Sequence, residues 1–177
     1  YLRGRVLLAK GDVAAARQSF ERALAVDPVY FPAVDILAAL DVKENKPELA
    51  EQRFDKLLTA QPDNTRALMV LAQLRNRGGK GREEVVALMT KAIKASPAQP
   101  GPRLQLVDYY LRQKDFKLAL ATAQEGIGAM PNSWEMVEAL ARAQLASGDD
   151  NQAITAYGKL IAMLPKSPMP HLGLADA

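Results

Sequence analysis

The chain has 177 residues, about the length of one ordinary domain. Its 23 Lys and Arg residues against 20 Asp and Glu residues leave a net charge of +3, too small an excess to indicate a nucleic-acid-binding surface. It has no cysteine and a single histidine, which excludes disulfide frameworks, cysteine nucleophiles and thiolate or multi-histidine metal sites. A hydrophobic content of 49% is enough for a packed core, and no apolar run reaches the ~18 residues of a membrane-spanning helix.

Prolines are frequent for a composition that otherwise favours helices, since a proline costs about 3 kcal/mol in a helix interior. Five of the eleven recur at intervals of 34, 35, 34 and 34 residues: Pro28, Pro62, Pro97, Pro131 and Pro165. Apolar residues keep the same register eight positions before each of them: Phe20, Phe54, Met89, Ala123 and Tyr157. The extra residue of the longer interval falls in the glycine-rich stretch 78–81. The sequence therefore predicts an internal repeat.

Within each repeat, apolar residues recur every three or four positions, which predicts amphipathic helices. Two such helices and two short turns fill one unit. In chain order, the predicted helices span 1–10, 13–26, 31–43, 47–60, 65–77, 82–95, 100–113, 116–129, 134–146, 150–163 and 168–177. The remaining prolines then lie in first helical turns, where no intrahelical N–H donor is needed. Side-chain caps are expected at the helix starts from Asp12, Asn64, Asp115, Ser133, Asp149 and Ser167.

Small or short residues also occupy the eighth position of the successive units: Gly4, Ala38, Ala72, Val107, Ala141 and Ala175. Together with the small residue at the twentieth position, the apolar residue at the twenty-fourth (a ring in three of the five units) and the proline at the thirty-second, this pattern resembles the tetratricopeptide repeat. The large aromatic expected at the fourth position is absent, since Val34, Leu68, Arg103 and Val137 stand there.

The resemblance implies an all-α fold, a right-handed α-solenoid of tandem antiparallel helix pairs. We expect a single array over 1–177, with complete units at 31–64, 65–99, 100–133 and 134–167 and partial units at 1–30 and 168–177. Because the chain begins and stops inside units, we expect it to be a segment of a longer repeat protein.

Groups that could carry chemistry have structural explanations. The loop from Arg77 to Arg82 lacks the order of a phosphate-binding loop and follows no strand, so an inserted turn is expected. Glu83-Glu84 and Asp149-Asp150 stand at helix starts, where negative charge suits the helix dipole. His171 is expected to be solvated, and Tyr110 and Trp134 to pack internally. We predict no catalytic site, no metal site and no cofactor, and hence no enzyme.

Stacked helix pairs bind partners along the surface that their first helices line. In the tetratricopeptide family, positions 2, 5, 9, 12 and 13 of the first helices form this concave face. Here these positions include Arg5, Asp35, Lys43, Met69, Gln73, Asn76, Arg77, Leu104, Asp108, Leu111, Arg112, Glu138, Arg142 and Leu145. The mixture of arginines with Leu and Met indicates a protein or peptide partner. The lysine and asparagine that grip acidic chaperone tails are absent from the fifth and ninth positions, so a chaperone adaptor is disfavoured.

Several short stretches of the sequence resemble one bacterial subfamily, the tetratricopeptide lipoproteins of PEP-CTERM/exosortase systems. The resemblance lies in stretches such as 1–5, 20–24 and 64–68. It implies a scaffold for exopolysaccharide export or surface-protein sorting, in the periplasm or at the outer membrane, with a lipid anchor outside this chain. A cytoplasmic location, a polysaccharide ligand stacked on Tyr109 and Trp134, and an adaptor module of a larger enzyme remain as alternatives.

Overall fold

The computed structural model describes residues 1–176, with side chains for 1–175. Within these residues the chain forms eleven α-helices and no strand. The helices are α1 (Leu2–Ala9), α2 (Val13–Val26), α3 (Phe31–Lys43), α4 (Pro47–Ala60), α5 (Thr65–Arg77), α6 (Arg82–Ala95), α7 (Pro100–Arg112), α8 (Phe116–Ala129), α9 (Trp134–Ser147), α10 (Asp150–Met163) and α11 (Met169–Asp176). The all-α prediction is confirmed. Ala177, the last residue of the predicted array, lies outside the described residues.

The helix boundaries agree with the sequence prediction to within a residue at most ends. Pro32, Pro47 and Pro100 stand at the first or second helical position, as their missing N–H groups require. The helix α9 extends to Ser147, one residue beyond the prediction, because Gly148 follows it in the left-handed conformation at φ 83° and ends the helix there.

The predicted caps are confirmed in part. The side chains of Asp12, Asn64 and Ser133 accept hydrogen bonds from backbone N–H groups three residues on, at 3.0, 3.0 and 3.3 Å. Asp115 and Asp149 were expected to do the same, and that expectation is wrong, because neither side chain makes a capping bond. The carboxylate of Asp149 instead accepts a hydrogen bond from Ser147 Oγ at 3.3 Å.

The chain folds as two compact units, one covering Tyr1–Ala95 and the other beginning at Ser96. In unit 1, α1 packs on α2, α3 on α4 and α5 on α6, and these hairpins stack through α2 on α3 and α4 on α5. In unit 2, α7 packs on α8 and α9 on α10, with α8 against α9 and α10 against α11. The single array over 1–177 stays a prediction.

The repeat columns are the core of both units. Phe20 and Phe54 in unit 1 are fully buried, and Tyr157 in unit 2 is 3% exposed. The small eighth-position residues make room for these rings, since a Cβ added to Gly4 would lie 2.7 Å from the ring of Phe20. At the fourth position, where the aromatic is missing, Arg103 is buried and donates from Nη1 to the carbonyl oxygen of Pro97 at 2.6 Å.

An ion-pair network centred on one buried carboxylate joins the first two hairpins of unit 1. The carboxylate of Asp41 is 1% exposed, and it accepts from Arg17 Nη1 of the preceding hairpin at 2.6 Å and from Arg53 Nε of its own hairpin at 2.5 Å. The second nitrogens of the two arginines reach Glu44 at 2.7 Å and Glu21 at 2.8 Å. Asp41 occupies the eleventh position of its unit, so this network lies on a repeat column.

The next pair on this column has the opposite polarity. Arg75 occupies the eleventh position of the following unit, and Glu51 occupies the position equivalent to Arg17. Arg75 lies 3.6 Å from Glu51 and 2.9 Å from Asp55, both on α4, and 3.6 Å from Glu84 on α6. Ion pairs therefore join both pairs of neighbouring hairpins in unit 1 at the same repeat positions. In the first the later hairpin supplies the acid, Asp41, and in the second it supplies the base, Arg75.

Replacing Asp41 with Asn should destabilise the chain by about 3–5 kcal/mol, because two arginines that converge on a buried carboxylate lose their counter-charge. The free energy of unfolding in urea measures the loss. Glu44→Gln is the matched control, since it removes one carboxylate from the exposed end of the same network and should cost much less. Equal losses in the two variants would contradict the special weight given to the buried carboxylate.

Candidate binding grooves

Three predicted concave-face residues of unit 1 come together in one groove between α3 and α5. This groove, called groove 1, is lined by Asp35, Ala38, Ala39, Val42, Phe54, Val70, Gln73, Leu74 and Arg77 and encloses about 230 Å³. Asp35, Gln73 and Arg77 were predicted from their positions in the repeat, and all three are exposed. Most of the remaining lining is aliphatic. Groove 1 thus offers an apolar trough with polar groups that a partner can reach.

The floor of groove 1 is held in place by ring contacts. Phe54 is fully buried, and its ring packs against that of Phe31 with centroids 6.1 Å apart. The guanidinium carbon of Arg66 lies 4.9 Å from the centroid of Phe31, in a cation–π contact. Because the buried ring and its packed neighbour have little freedom, the groove is largely formed before any ligand arrives.

The carboxylate of Asp35 is perturbed by its position beside this apolar wall. Desolvation raises its pKa above the ordinary value, and the positive charge of Arg66 offsets part of the rise. A positively charged or hydrogen-bond-donating partner stabilises the charged form of such an acid, which is disfavoured in the free protein. Asp35 is therefore suited to receive a donor from a ligand.

Four predicted residues of unit 2 come together in a second groove. Groove 2 is lined by Leu111, Glu138, Arg142, Leu145, Ala146, Tyr157, Met169 and Gly173 and encloses about 470 Å³. Arg142 Nη2 donates to Asp108 Oδ1 at 2.9 Å, which joins α9 to α7 at its edge. A Cβ on Gly173 would overlap the ring of Tyr157, so the floor is built by close approach of α11 to that ring.

The two grooves are made from the same repeat positions. Asp35 and Glu138 are 103 residues apart (138 minus 35), which is three repeat periods plus the one-residue insertion, and the same spacing relates three further pairs. These pairs are Ala39 with Arg142, Val42 with Leu145 and Phe54 with Tyr157. Each groove therefore has an acid at the fifth position, an aliphatic side chain at the twelfth and a ring as its floor. This arrangement can hold an apolar side chain of a partner beside a donor to the acid.

The other predicted concave-face residues lie outside the two grooves. Arg5, Lys43 and Arg112 are exposed, while Met69, Asn76 and Leu104 are half-buried. Asp108 contributes through its ion pair with Arg142. From the sequence, Phe54 and Tyr157 were not predicted to line the grooves, because the twenty-fourth position was assigned only to the core. The shared ring column could have revealed it.

Several expectations about isolated residues are now settled. Tyr109 is 3% exposed and Tyr110 is 7% exposed, so Tyr110 packs internally as predicted, whereas stacking of Tyr109 on a sugar is ruled out by its burial. Trp134 is 38% exposed, so its expected internal packing is incomplete. His171 is exposed, and Glu83, Glu84 and Asp150 lie in first helical turns, as expected.

The glycine-rich stretch 78–81 forms a turn between α5 and α6, with Gly79 at φ 70°, as the sequence predicted. Among the described residues, no group of three or more His, Cys, Asp or Glu side chains is placed to hold a metal ion. Over the same residues, none of the helices combines the length and the apolar character needed to cross a bilayer.

Comparison with known protein families gives a consistent assignment. Two family models, each described as tetratricopeptide repeat, match residues 7–74 and residues 104–177. The chain belongs to the tetratricopeptide repeat proteins. The family matches cover one groove-bearing segment in each compact unit, which supports the repeat register used above.

Solved structures show the same fold at low identity. A tetratricopeptide repeat protein from Parabacteroides merdae matches with a TM-score of 0.73 and 16% identity over 98% of this chain and 69% of its own. The thermophilic protein TTC0263 from Thermus thermophilus matches with a TM-score of 0.65 and 24% identity over 97% and 93%. YrrB, described as a TPR protein with an unusual peptide-binding site, matches with a TM-score of 0.64 and 15% identity over 98% and 89%. No curated protein matches the chain.

Replacing Asp35 with Asn should raise the melting temperature near neutral pH, because the raised pKa means that folding opposes the ionised form of this carboxyl. The gain should disappear as the pH falls below the ordinary value of 3.8, where the carboxyl is protonated in both the folded and the unfolded chain. Thermal melts at several pH values measure this dependence.

Glu44→Gln is the control of opposite sign. Hydrogen bonds from Lys46 and Arg17 lower the pKa of Glu44, so its ionised form stabilises the fold above its ordinary value and this contribution is lost in acid. The control variant should therefore lose stability near neutral pH. A loss of stability in Asp35→Asn under the same conditions would contradict the desolvation of Asp35.

Proposed function

We propose that this tetratricopeptide repeat chain is a non-catalytic scaffold that binds a protein partner through grooves 1 and 2. The observation that carries the proposal is the recurrence of one groove design in both compact units, with an acid, an aliphatic wall and a ring floor at the same repeat positions. A structural core has no need to repeat an open, acid-edged groove. The family is one of protein-interaction scaffolds, and the peptide-binding site named for YrrB supports the same class of ligand.

The chemistry of the grooves defines the partner segment. Apolar side chains of an extended or helical segment would lie against the aliphatic walls above the buried rings, Val42, Val70 and Leu74 in groove 1 and Leu111 and Leu145 in groove 2. Burying these side chains removes apolar surface from water. Basic or amide groups beside those side chains would bond to Asp35 and Glu138. Arg77 would meet acidic groups or carbonyl oxygens at the edge of groove 1. The partner is therefore expected to combine spaced apolar anchors with polar groups of both signs.

The cellular setting of the proposal rests on the subfamily resemblance. We place the scaffold in exopolysaccharide export or surface-protein sorting, in the periplasm or at the outer membrane, with a cytoplasmic adaptor as the alternative. A polysaccharide ligand has less support, because the burial of Tyr109 leaves Trp134 as the only exposed ring of the two named for stacking. An adaptor role within a larger enzyme would require a catalytic domain in a flanking part of the protein.

Charge reversal in both grooves, R77E together with R142E, should weaken partner binding about tenfold or more, because each change replaces a base that would meet acidic groups or carbonyl oxygens of the partner with an acid that repels them. The partner would be captured separately from envelope and cytosolic fractions and identified, and its affinity would then be measured by calorimetry with purified proteins. Recovery from the envelope fraction is expected from the proposed setting.

The matched control carries R22E and K117E, which make the same change in net charge at exposed positions of α2 and α8, outside both grooves. It should bind the partner as the unmodified chain does. If the groove variant keeps full affinity, or if both variants lose it equally, the grooves are not the binding site.

A further inference from the structure

A separate cavity lies in unit 2 between α8, α9 and α10. It encloses about 300 Å³ and shares no lining residue with groove 2. Its walls are mostly apolar, formed by Ile127, Val137, Leu140 and Ala156. Polar side chains of Thr155, Gln152 and Lys159, all exposed, also line it. A cavity of this size with apolar walls can take up one large side chain.

One wall of the cavity carries a polar group that lacks a partner. Gln144 is 6% exposed, and its Nε2 donates to Gln152 Oε1 at 3.0 Å. Its own Oε1 is buried without a hydrogen bond. A buried acceptor left in this state costs free energy that a donor would recover. Because the terminal torsion of a glutamine is soft, this oxygen can turn toward a donor that enters the cavity.

The equivalent place in unit 1 shows what the cavity lacks. Gln144 occupies the eleventh position of its repeat, which in unit 1 is held by Asp41. Asp41 is satisfied by Arg17 from the preceding hairpin and Arg53 from its own. At the positions equivalent to these two arginines, unit 2 has Leu120 and Ala156.

Unit 2 therefore has a buried polar group at this position but has neither of the two arginines that satisfy the equivalent group in unit 1. The small side chain of Ala156 also leaves the cavity of unit 2 open and apolar on this side. At the equivalent place in unit 1, Arg53 lines a cavity together with the charged side chains of Glu21 and Lys56. The ligand that fits the cavity is apolar in bulk and brings one donor. A cation is disfavoured because Lys159 lies in the lining.

We propose that this cavity binds the ring of a tryptophan or tyrosine side chain from a partner protein, whose indole N–H or phenol O–H donates to Gln144 Oε1. The ring fills the apolar space between Val137, Leu140 and Ala156. Gln152, Thr155 and Lys159 bond to the backbone of the partner segment. The site is independent of grooves 1 and 2, so it stands or fails separately from the function proposed for them.

The test uses three capped amino acids as probes of the 177-residue chain: N-acetyl-tryptophanamide, N-acetyl-tyrosinamide and N-acetyl-phenylalaninamide. The last one has the ring without the donor. In NMR titrations, the Trp and Tyr probes should shift the amide signals of residues 137–159, with affinities about 3- to 10-fold higher than that of the Phe probe. No shift in that segment with any probe, or equal affinity for the Phe probe, would overturn the proposal.

Two variants locate the site. A156R restores the arginine that unit 1 has at this position and should block probe binding by filling the cavity. The matched control is A162R, which places the same side chain at an exposed position of the same helix and should bind the probes normally. Unchanged binding by A156R would place the probes elsewhere.

Q144M keeps the length of the side chain and removes its acceptor, so the Trp and Tyr probes should fall to the affinity of the Phe probe. This result is decisive even if A156R fails to fold, because it depends on the difference between probes and not on their absolute affinity. A preserved preference for Trp and Tyr in Q144M would refute the role of Gln144.

Discussion

The structure depends on the close approach of adjacent helices, where a small residue on one helix faces a large ring on the next. Within the first hairpin, Phe20 of α2 fills the space that a side chain on Gly4 of α1 would need, and between hairpins Tyr157 of α10 does the same at Gly173 of α11. These contacts bury the rings, fix the spacing of the helices and leave the first helices free to line grooves. The unit-closing prolines recur at intervals of 34 or 35 residues, so equivalent positions of successive units meet in the same register.

The binding grooves follow from this packing. A ring buried in the core lies at the base of each groove, and the aliphatic residue at the twelfth position and the acid at the fifth complete the lining. Phe54 and Tyr157 thus belong both to the core and to the lining of the grooves. Asp35 illustrates the conflict between these demands, since its charge is disfavoured in the folded chain and yet offers a partner an acceptor.

Helix boundaries and the core could be predicted from sequence because they depend on local signals: period, proline placement and small residues at fixed positions. The sequence also located Asp35, Gln73 and Arg77, since the repeat register fixes which side of a first helix they occupy. The network around Asp41 could not be predicted, because it joins side chains from three helices whose contacts depend on how hairpins stack. The burial of Tyr109, which prevents it from stacking on a sugar, could not be predicted for the same reason, since it too depends on contacts between helices.

The eleventh position shows how one repeat site takes different chemistry. It holds an acid between two arginines at Asp41, a base among acids at Arg75, a buried tyrosine at Tyr110 and a half-satisfied amide at Gln144. The backbone register is common to all four, so the differences lie in side chains alone. Variation of this kind lets a repeat protein keep its fold while its local surfaces change.

The central claim is that partners bind to the first helices through the ring-floored grooves. Hydrogen–deuterium exchange of the chain with and without its captured partner tests it most directly. The account predicts that protection is gained in α3 and α5 of unit 1 and in α9 of unit 2. Protection confined to the second helices α4, α6 and α8, with the first helices unchanged, would contradict it.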